Sequence, residues 1–377
     1  MIPVSEPLLT NDELQNVTDC VRTGWISSSG KYINEFESGW SAYCGKKYGI
    51  AVSNGTTALD VAVHCLGLKP GDEVILPTFT IISCALAVVN NRGTPVLVDS
   101  DPKLWTMDVD EVAEKITPKT KAIMPVHIYG HPVDMDPLID LAEDHHLAII
   151  EDAAEAHGAE YRSRRQGKDT WRRCGSFGTF GCFSFYANKL VTTGEGGMVI
   201  TDDETLAGKA RAYRDLCFQP PRRFYHSHLG NNFRLTNMQA ALGVAQMARM
   251  EEIVAKKRWM AQEYTRRLST IQEIQLPSEE SWAKSVYWMY ALVLSDACGM
   301  DNTECAKRLL EKGIETRPFF IGMHEQPVFH KRGLFINEKY PVAEKIARQG
   351  FYLPSGLTLT EDQIETVTCA VKEVLGI

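Results

Sequence analysis

Three short stretches carry residues with complementary chemistry, and each follows a short apolar run. Ser53-Asn54-Gly55-Thr56-Thr57 lies between GIAV and ALDVAVHCL. A glycine turn opening onto a helix presents free amides and the positive end of the helix dipole, which suits a phosphate, and threonine hydroxyls add donors. An ordinary tight turn with a threonine N-cap accounts for the same residues and, taken alone, is the commoner case. Asp152 ends the run LAIIED, with Glu155 three residues on. A carboxylate there can hold the protonated nitrogen of a heterocyclic cofactor and so strengthen the ring as an electron sink. Lys189 stands in FSFYANKLVTTGEGG, flanked by Phe183, Ser184, Phe185, Tyr186, Leu190 and Val191. An apolar surround disfavours the ammonium and leaves an amine able to attack a carbonyl. A lone loop acid is usually solvated and most lysines lie at the surface. The order cradle, acid, amine is what gives these stretches weight.

Other chemistries lack their motifs. The chain has no GxxxxGK[ST], GxGxxG or HExxH, and its ten cysteines form no CxxC pair. His145 and His146 are neighbours on a helix and point apart, while His127 and His157 read as structural residues. Asp99-Ser100-Asp101 after TPVLV could hold a metal–diphosphate, as in a glycosyltransferase. A polar turn after a strand is the commoner origin of such a triplet, and no metal site is expected.

The elements that must position these residues follow from patterning. Thr10 and Glu13 have capping-box form, Leu14, Val17 and Val21 share a helical face, and Gly24 closes the helix. Ile33, Phe36, Trp40 and Tyr43 mark a second amphipathic helix. From Gly49 onward, runs such as GIAVS, EVILP, TPVLV, KAIMPV and LAIIED alternate with helices over 56–66, 109–116 and 135–145. Strands without polar alternation are buried on both faces, which predicts a parallel sheet covered by helices, with ligands beyond the strands' carboxyl ends. A long helix over 236–270, a strand over 288–294 and helices over 303–311 and 360–375 complete the chain. The expected organisation is a large α/β domain over 1–250, including an N-terminal helical segment, and a smaller α+β domain over 251–377. A net charge of −8 argues against a nucleic-acid footprint. No signal-peptide order and no apolar run of about 20 residues is present, so no membrane partner and a cytoplasmic location with reduced thiols are expected.

The motifs TGWISSSGKYINEFE (23–37), SNGTTALD (53–60), GDEVILPTFT (71–80), EDAAEA (151–156), FSFYANKLVTTGEGGM (183–198) and GNNFRLTNMQAALG (230–243) resemble the DegT/DnrJ/EryC1/StrS sugar aminotransferases over essentially the whole chain. The resemblance implies an aspartate-aminotransferase-like fold (PLP-transferase fold type I) with a mostly parallel central sheet, pyridoxal 5'-phosphate (PLP) as cofactor and a homodimer with shared active sites. It makes Lys189 the catalytic lysine that bonds the cofactor's aldehyde, Asp152 the partner of the pyridine nitrogen, and Glu155 the contact to the phenolic oxygen. Gly55, Thr56, Thr57 and Ser184 would hold the phosphate, and Asn232 would reach it from the neighbouring subunit. The implied reaction moves an amino group from glutamate to a nucleotide-linked 4-keto-6-deoxy sugar. A GDP-linked 4-keto-6-deoxymannose is favoured, with dTDP- or UDP-linked sugars and amination at C3 as alternatives. Trp25, Ser27, Lys31, Arg223, Arg317 and His324 are the substrate-contact candidates. Dehydratase relatives carry histidine at the lysine position, and this chain keeps Lys189. A non-catalytic regulatory member would be colourless. Three positions depart from the family pattern: Ile81 replaces an aromatic residue that stacks on the cofactor ring, residues 168–174 form an insertion, and Asn231 replaces a Tyr or Phe.

Overall fold

The computed structural model describes residues 1–167, 169–218 and 221–377. The central strands are β1 (Tyr48–Val52), β2 (Glu73–Pro77), β3 (Thr94–Val98), β4 (Thr120–Ile123), β5 (Ala148–Asp152), then, after a side ribbon of β6 (Glu160–Ser163) and β7 (Thr170–Arg173), β8 (Phe180–Ser184) and β9 (Gly197–Thr201). They form a seven-stranded sheet in the order β1-β9-β8-β5-β4-β2-β3, in which only β9 runs against the others. The apolar runs explain the geometry: nearly every residue of β1, β2, β5, β8 and β9 is buried, as a sheet covered on both faces requires. The reversal at β9 has a local cause. The lysine loop connects β8 to β9 in 12 residues, 185–196, and contains no helix that could carry the chain over the sheet to a parallel strand.

Helix ends are set as their residues demand. Helix Asn11–Thr23 has the full Thr10/Glu13 capping box and closes at Gly24, whose φ of 76° is the left-handed conformation glycine adopts freely. Its facing differs from expectation: Leu14 and Val21 are exposed, while Glu13 and Cys20 are buried against helix Asn237–Met247. The helix expected over 236–270 is two, Asn237–Met247 and Met250–Leu268. The break falls at Arg249, whose guanidinium turns to the carbonyl of Leu8 and the carboxylate of Glu13.

Beyond residue 250 the strands β10 (Ile274–Gln275), β11 (Ala283–Lys284), β12 (Tyr290–Leu294), β13 (Arg317–Pro318) and β14 (Gly350–Leu353) appear. β10, β12, β14 and β13 form an antiparallel sheet, and β11 joins β6 and β7. The expected insertion over 168–174 is therefore largely a strand, β7; Lys168 lies outside the described residues. One apolar cluster runs from Phe36, Trp40 and Phe185 through to Val286, Trp288 and Phe319, so residues on both sides of position 250 share a core. Among the described residues no helix is long and apolar enough to cross a membrane.

Candidate active site

A cavity of about 450 Å³ opens at the carboxyl ends of β1, β2, β5 and β8. Its wall includes Gly55, Thr56, Asp152, Glu155, Ser184 and Lys189, so six residues marked by the sequence meet in one place.

Asn54 caps helix Gly55–Leu66, accepting from the amide of Thr57 at 2.9 Å, which leaves the amides of Gly55 and Thr56 as the helix's free first donors. Gly55 must be glycine: a Cβ there would stand 2.6 Å from the Cβ of Ser184. The Thr56 hydroxyl is 2.7 Å from that of Ser83, which adds a donor the sequence did not reveal. Thr57 departs from expectation. Its hydroxyl accepts from the Asn54 amide at 3.1 Å and donates to the Asn54 carbonyl at 2.8 Å, so it caps the helix instead of lining the cavity.

Asp152 ends β5 and is 3% exposed. Oδ1 accepts from the Ala154 amide at 3.0 Å and Oδ2 from the Cys84 thiol at 3.1 Å, which fixes the carboxylate at the cavity floor while leaving lone pairs free. Behind it, Glu151 is wholly buried; burial pushes its acidity one way, but His127 at 3.1 Å and the amides of Gly175, Phe177 and Gly178 outweigh it and keep its carboxyl below the usual range. Because the His127 Nδ1 accepts from the Val133 amide, its Nε2 carries the proton donated to Glu151. His127 is structural, as expected. His157 is too: burial pulls it down to about 3, with Lys189 adding to the effect, and the ring packs on Trp40 and Phe185.

Lys189 stands in the loop between β8 and β9 with its Nζ 3.6 Å from Glu155 Oε1 and 3.7 Å from the centre of the Trp288 ring. Burial depresses the lysine, and burial likewise pushes Glu155 up to about 7, against the pull of Lys189 and of the Tyr129 amide, which donates to Glu155 Oε2 at 2.8 Å. Both shifts favour the neutral forms, which makes the Lys189 amine more nucleophilic than an exposed lysine.

The substrate candidates lie elsewhere in the single chain. Trp25 and Lys31 line a separate hollow of about 440 Å³, where Lys31 pairs with Asp19 at 3.0 Å; Ser27 is exposed beside it. Arg223 is exposed over the Phe218 ring, and Arg317 pairs with Glu315 at 2.6 Å. His324 is buried between the Thr78 hydroxyl at 2.8 Å and Glu344 at 3.2 Å, a brace and not a cavity residue. Asn232 is exposed and outside the cavity wall of its own chain. Asp99 accepts from the amides of Val342 and Ala343, and Asp101 from those of Lys103 and Leu104, so this acid pair caps backbone. Among the described residues no cluster of three metal-ligating side chains occurs. Ile81 does line the cavity, and its aromatic rings come from Tyr186, Trp288, Phe320 and Tyr352.

The donors fit pyridoxal phosphate: free helix amides and hydroxyls around a cradle that a Cβ at Gly55 would fill, an anchored acid for a ring nitrogen, and a desolvated amine for an aldehyde. An open α/β sheet with this constellation at its carboxyl edge defines a pyridoxal-phosphate aminotransferase of fold type I. The chain belongs to the DegT/DnrJ/EryC1/StrS aminotransferase family, which matches over residues 7–372. It is 41% identical to the GDP-perosamine synthase of Caulobacter vibrioides over 99% of this chain and 98% of that protein. Identity to the GDP-perosamine synthase of Escherichia coli O157:H7 is 37%, covering 99% and 98%. The X-ray structure of an aminotransferase from Psychrobacter cryohalolentis superposes with a TM-score of 0.91 at 31% identity, covering 99% of both chains. The chain is thus a PLP-dependent sugar aminotransferase.

Proposed function

We propose that this enzyme is cytoplasmic and transfers the amino group of glutamate to C4 of a GDP-linked 4-keto-6-deoxymannose, making GDP-perosamine. The observation that carries the reading is the desolvated Lys189 amine beside Glu155, facing an anchored Asp152 across one cavity. The two GDP-perosamine synthases, matched over nearly their whole lengths, support the choice of nucleotide and sugar.

When bound, pyridoxal phosphate supplies an aldehyde for amines and a ring that draws electrons away from the reacting carbon. The chain's residues do the rest. The Gly55 and Thr56 amides, with the Thr56, Ser83 and Ser184 hydroxyls, hold the phosphate. Asp152 keeps a proton on the ring nitrogen. The Nζ of Lys189 takes the proton from the amino donor's α-carbon and later returns a proton to the sugar carbon, with Glu155 close enough to share its charge. Trp288, Phe320 and Tyr352 wall the site against water. Two copies complete the active site in this reading. Asn232 and the exposed Phe224, Tyr225 and Leu229 lie on one segment outside the wall of the chain's own cavity, where they are open to a neighbouring copy.

The test is direct. GDP- and dTDP-linked 4-keto-6-deoxy sugars are offered separately with glutamate, and the amino sugar is identified by mass and NMR. Amination of the GDP sugar at C4 is expected, with turnover abolished by Lys189→Ala while cofactor still binds. Amination of the dTDP sugar alone would refute the nucleotide assignment.

A further inference from the structure

Tyr129 holds a backbone conformation that its side chain opposes. It lies in the turn Ile128–Gly130 with φ 51° and ψ 15°, the left-handed region that a bulky aromatic residue rarely enters. Strain of this kind persists only where surrounding contacts impose it, and it collects where the backbone itself is put to use. The imposing contacts come from beyond residue 250. The Tyr129 carbonyl accepts from the Trp288 amide at 2.9 Å. The next carbonyl, of Gly130, accepts from the Val286 amide at 3.1 Å and from the Ser285 hydroxyl at 3.1 Å.

The left-handed turn aims one group at the active site. The Tyr129 amide donates to Oε2 of Glu155 at 2.8 Å. Held there, Glu155 keeps Oε1 turned toward Lys189, 3.6 Å from its Nζ. A glycine would take this φ without strain, yet it could not supply the ring. That ring is buried and lies nearly parallel to those of Phe320 and Trp288, at 5° and 13°, with centres 6.2 Å apart in both pairs. Phe320 and Trp288 belong to the cavity wall. One position must therefore combine a left-handed backbone with a large ring, which accounts for a strained aromatic residue where glycine would be easier.

We propose that Tyr129 is a positioning residue for Glu155: its left-handed amide fixes one carboxyl oxygen so that the other faces the Lys189 amine. The proposal rests on the reading of Lys189 as the amine that bonds the cofactor. The titratable groups facing Glu155 are Lys189, Asp152, Cys84, Tyr129 and Tyr352. Burial pushes Glu155 up to about 7, so its ionisation can be followed near neutral pH.

The test follows the full chain, freed of cofactor and carrying isotopically labelled tyrosine, by NMR of the tyrosine amides across a pH series. The Tyr129 signal is the one of thirteen that is missing from Tyr129→Phe. A hydrogen-bonded amide proton senses the charge of its acceptor. The signal is therefore expected to move downfield with a midpoint of about 7 and to stay still in Glu155→Gln, which separates Glu155 from the other groups. A Tyr129 signal indifferent to Glu155→Gln overturns the proposal. A second arm replaces the 128–129 peptide bond by an ester, using the hydroxy-acid analogue of tyrosine, which removes the donor and keeps the ring. In the loaded enzyme kcat is expected to fall roughly tenfold with KM for the amino donor unchanged. An unchanged kcat in a folded ester variant overturns the positioning role; if the ester fails to fold, the NMR arm decides alone. Absence of a borohydride-fixed adduct on Lys189 would sink the reading of the site and leave the behaviour of the Tyr129 signal as it is.

Discussion

Gly55 owes its place to the side chain opposite. Any Cβ there would press on Ser184, and the two residues form the floor of the phosphate cradle. Gly55→Ala is expected to push Ser184 and the helix N-terminus apart and to weaken cofactor binding by about 1–2 kcal/mol, roughly tenfold or somewhat more. A fluorescence titration of the variant with pyridoxal phosphate measures this, and an unchanged dissociation constant would mean the cradle lies elsewhere. The residues that meet in the cavity divide by how their signals are written. Lys189, Asp152, Glu155 and Gly55 were legible because each sits in a local motif just past an apolar strand, and the fold needs only the sheet to bring strand ends together. Trp288 and Cys84 were not legible. Their partners Lys189 and Asp152 are far away in sequence, and an indole or thiol in an apolar run looks like core. Thr57 and His324 were misplaced for the converse reason: a hydroxyl or imidazole of suitable type was already engaged, by a helix cap and by a Thr78–Glu344 brace.

Helix Asn11–Thr23 shows what an element can and cannot reveal in advance. Its ends were readable, since Thr10, Glu13 and Gly24 satisfy or release backbone groups locally. Its buried face was not. Leu14, Val17 and Val21 form a stripe, but periodicity states only that a stripe exists: Val17 packs against the core, Leu14 and Val21 are exposed, and the fully buried positions are Glu13 and Cys20. Glu13 holds two elements at once, accepting from the Thr10 amide at 2.7 Å and from Arg249 at 2.6 Å where the long helix breaks. Burial opposes its ionisation, but Thr10 and Arg249 prevail and bring it down to about 2. A carboxylate so depressed contributes stability that is full above the ordinary glutamate range and is lost as pH falls through about 2. Glu13→Gln keeps the cap but leaves Arg249 unpaired, at a cost of about 3 kcal/mol at neutral pH. Urea unfolding of both proteins across pH should show the gap narrowing toward acid. A gap independent of pH would assign the loss to packing and not to charge.

At the scale of the whole molecule, the sheet order and the polarity of its strands place the carboxyl ends of β1, β5 and β8 on one edge of the sheet, with the antiparallel β9 between β1 and β8, and the lysine loop that joins β8 to β9 delivers its amine there. The parallel sheet was legible from doubly buried strands; the reversal at β9 was not, because a buried strand has the same composition in either direction. The aromatic wall of Trp288, Phe320 and Tyr352 comes from beyond residue 250, so the cavity is complete only when both parts of the chain have folded. The central claim is that one amine, at position 189, bonds the cofactor. The purified protein is loaded with pyridoxal phosphate, reduced with borohydride and digested, and the labelled peptide is mapped. The expected result is a single reduced adduct on Lys189, absent from Lys189→Ala; an adduct on Lys257 or any other lysine, or none at all, would contradict it.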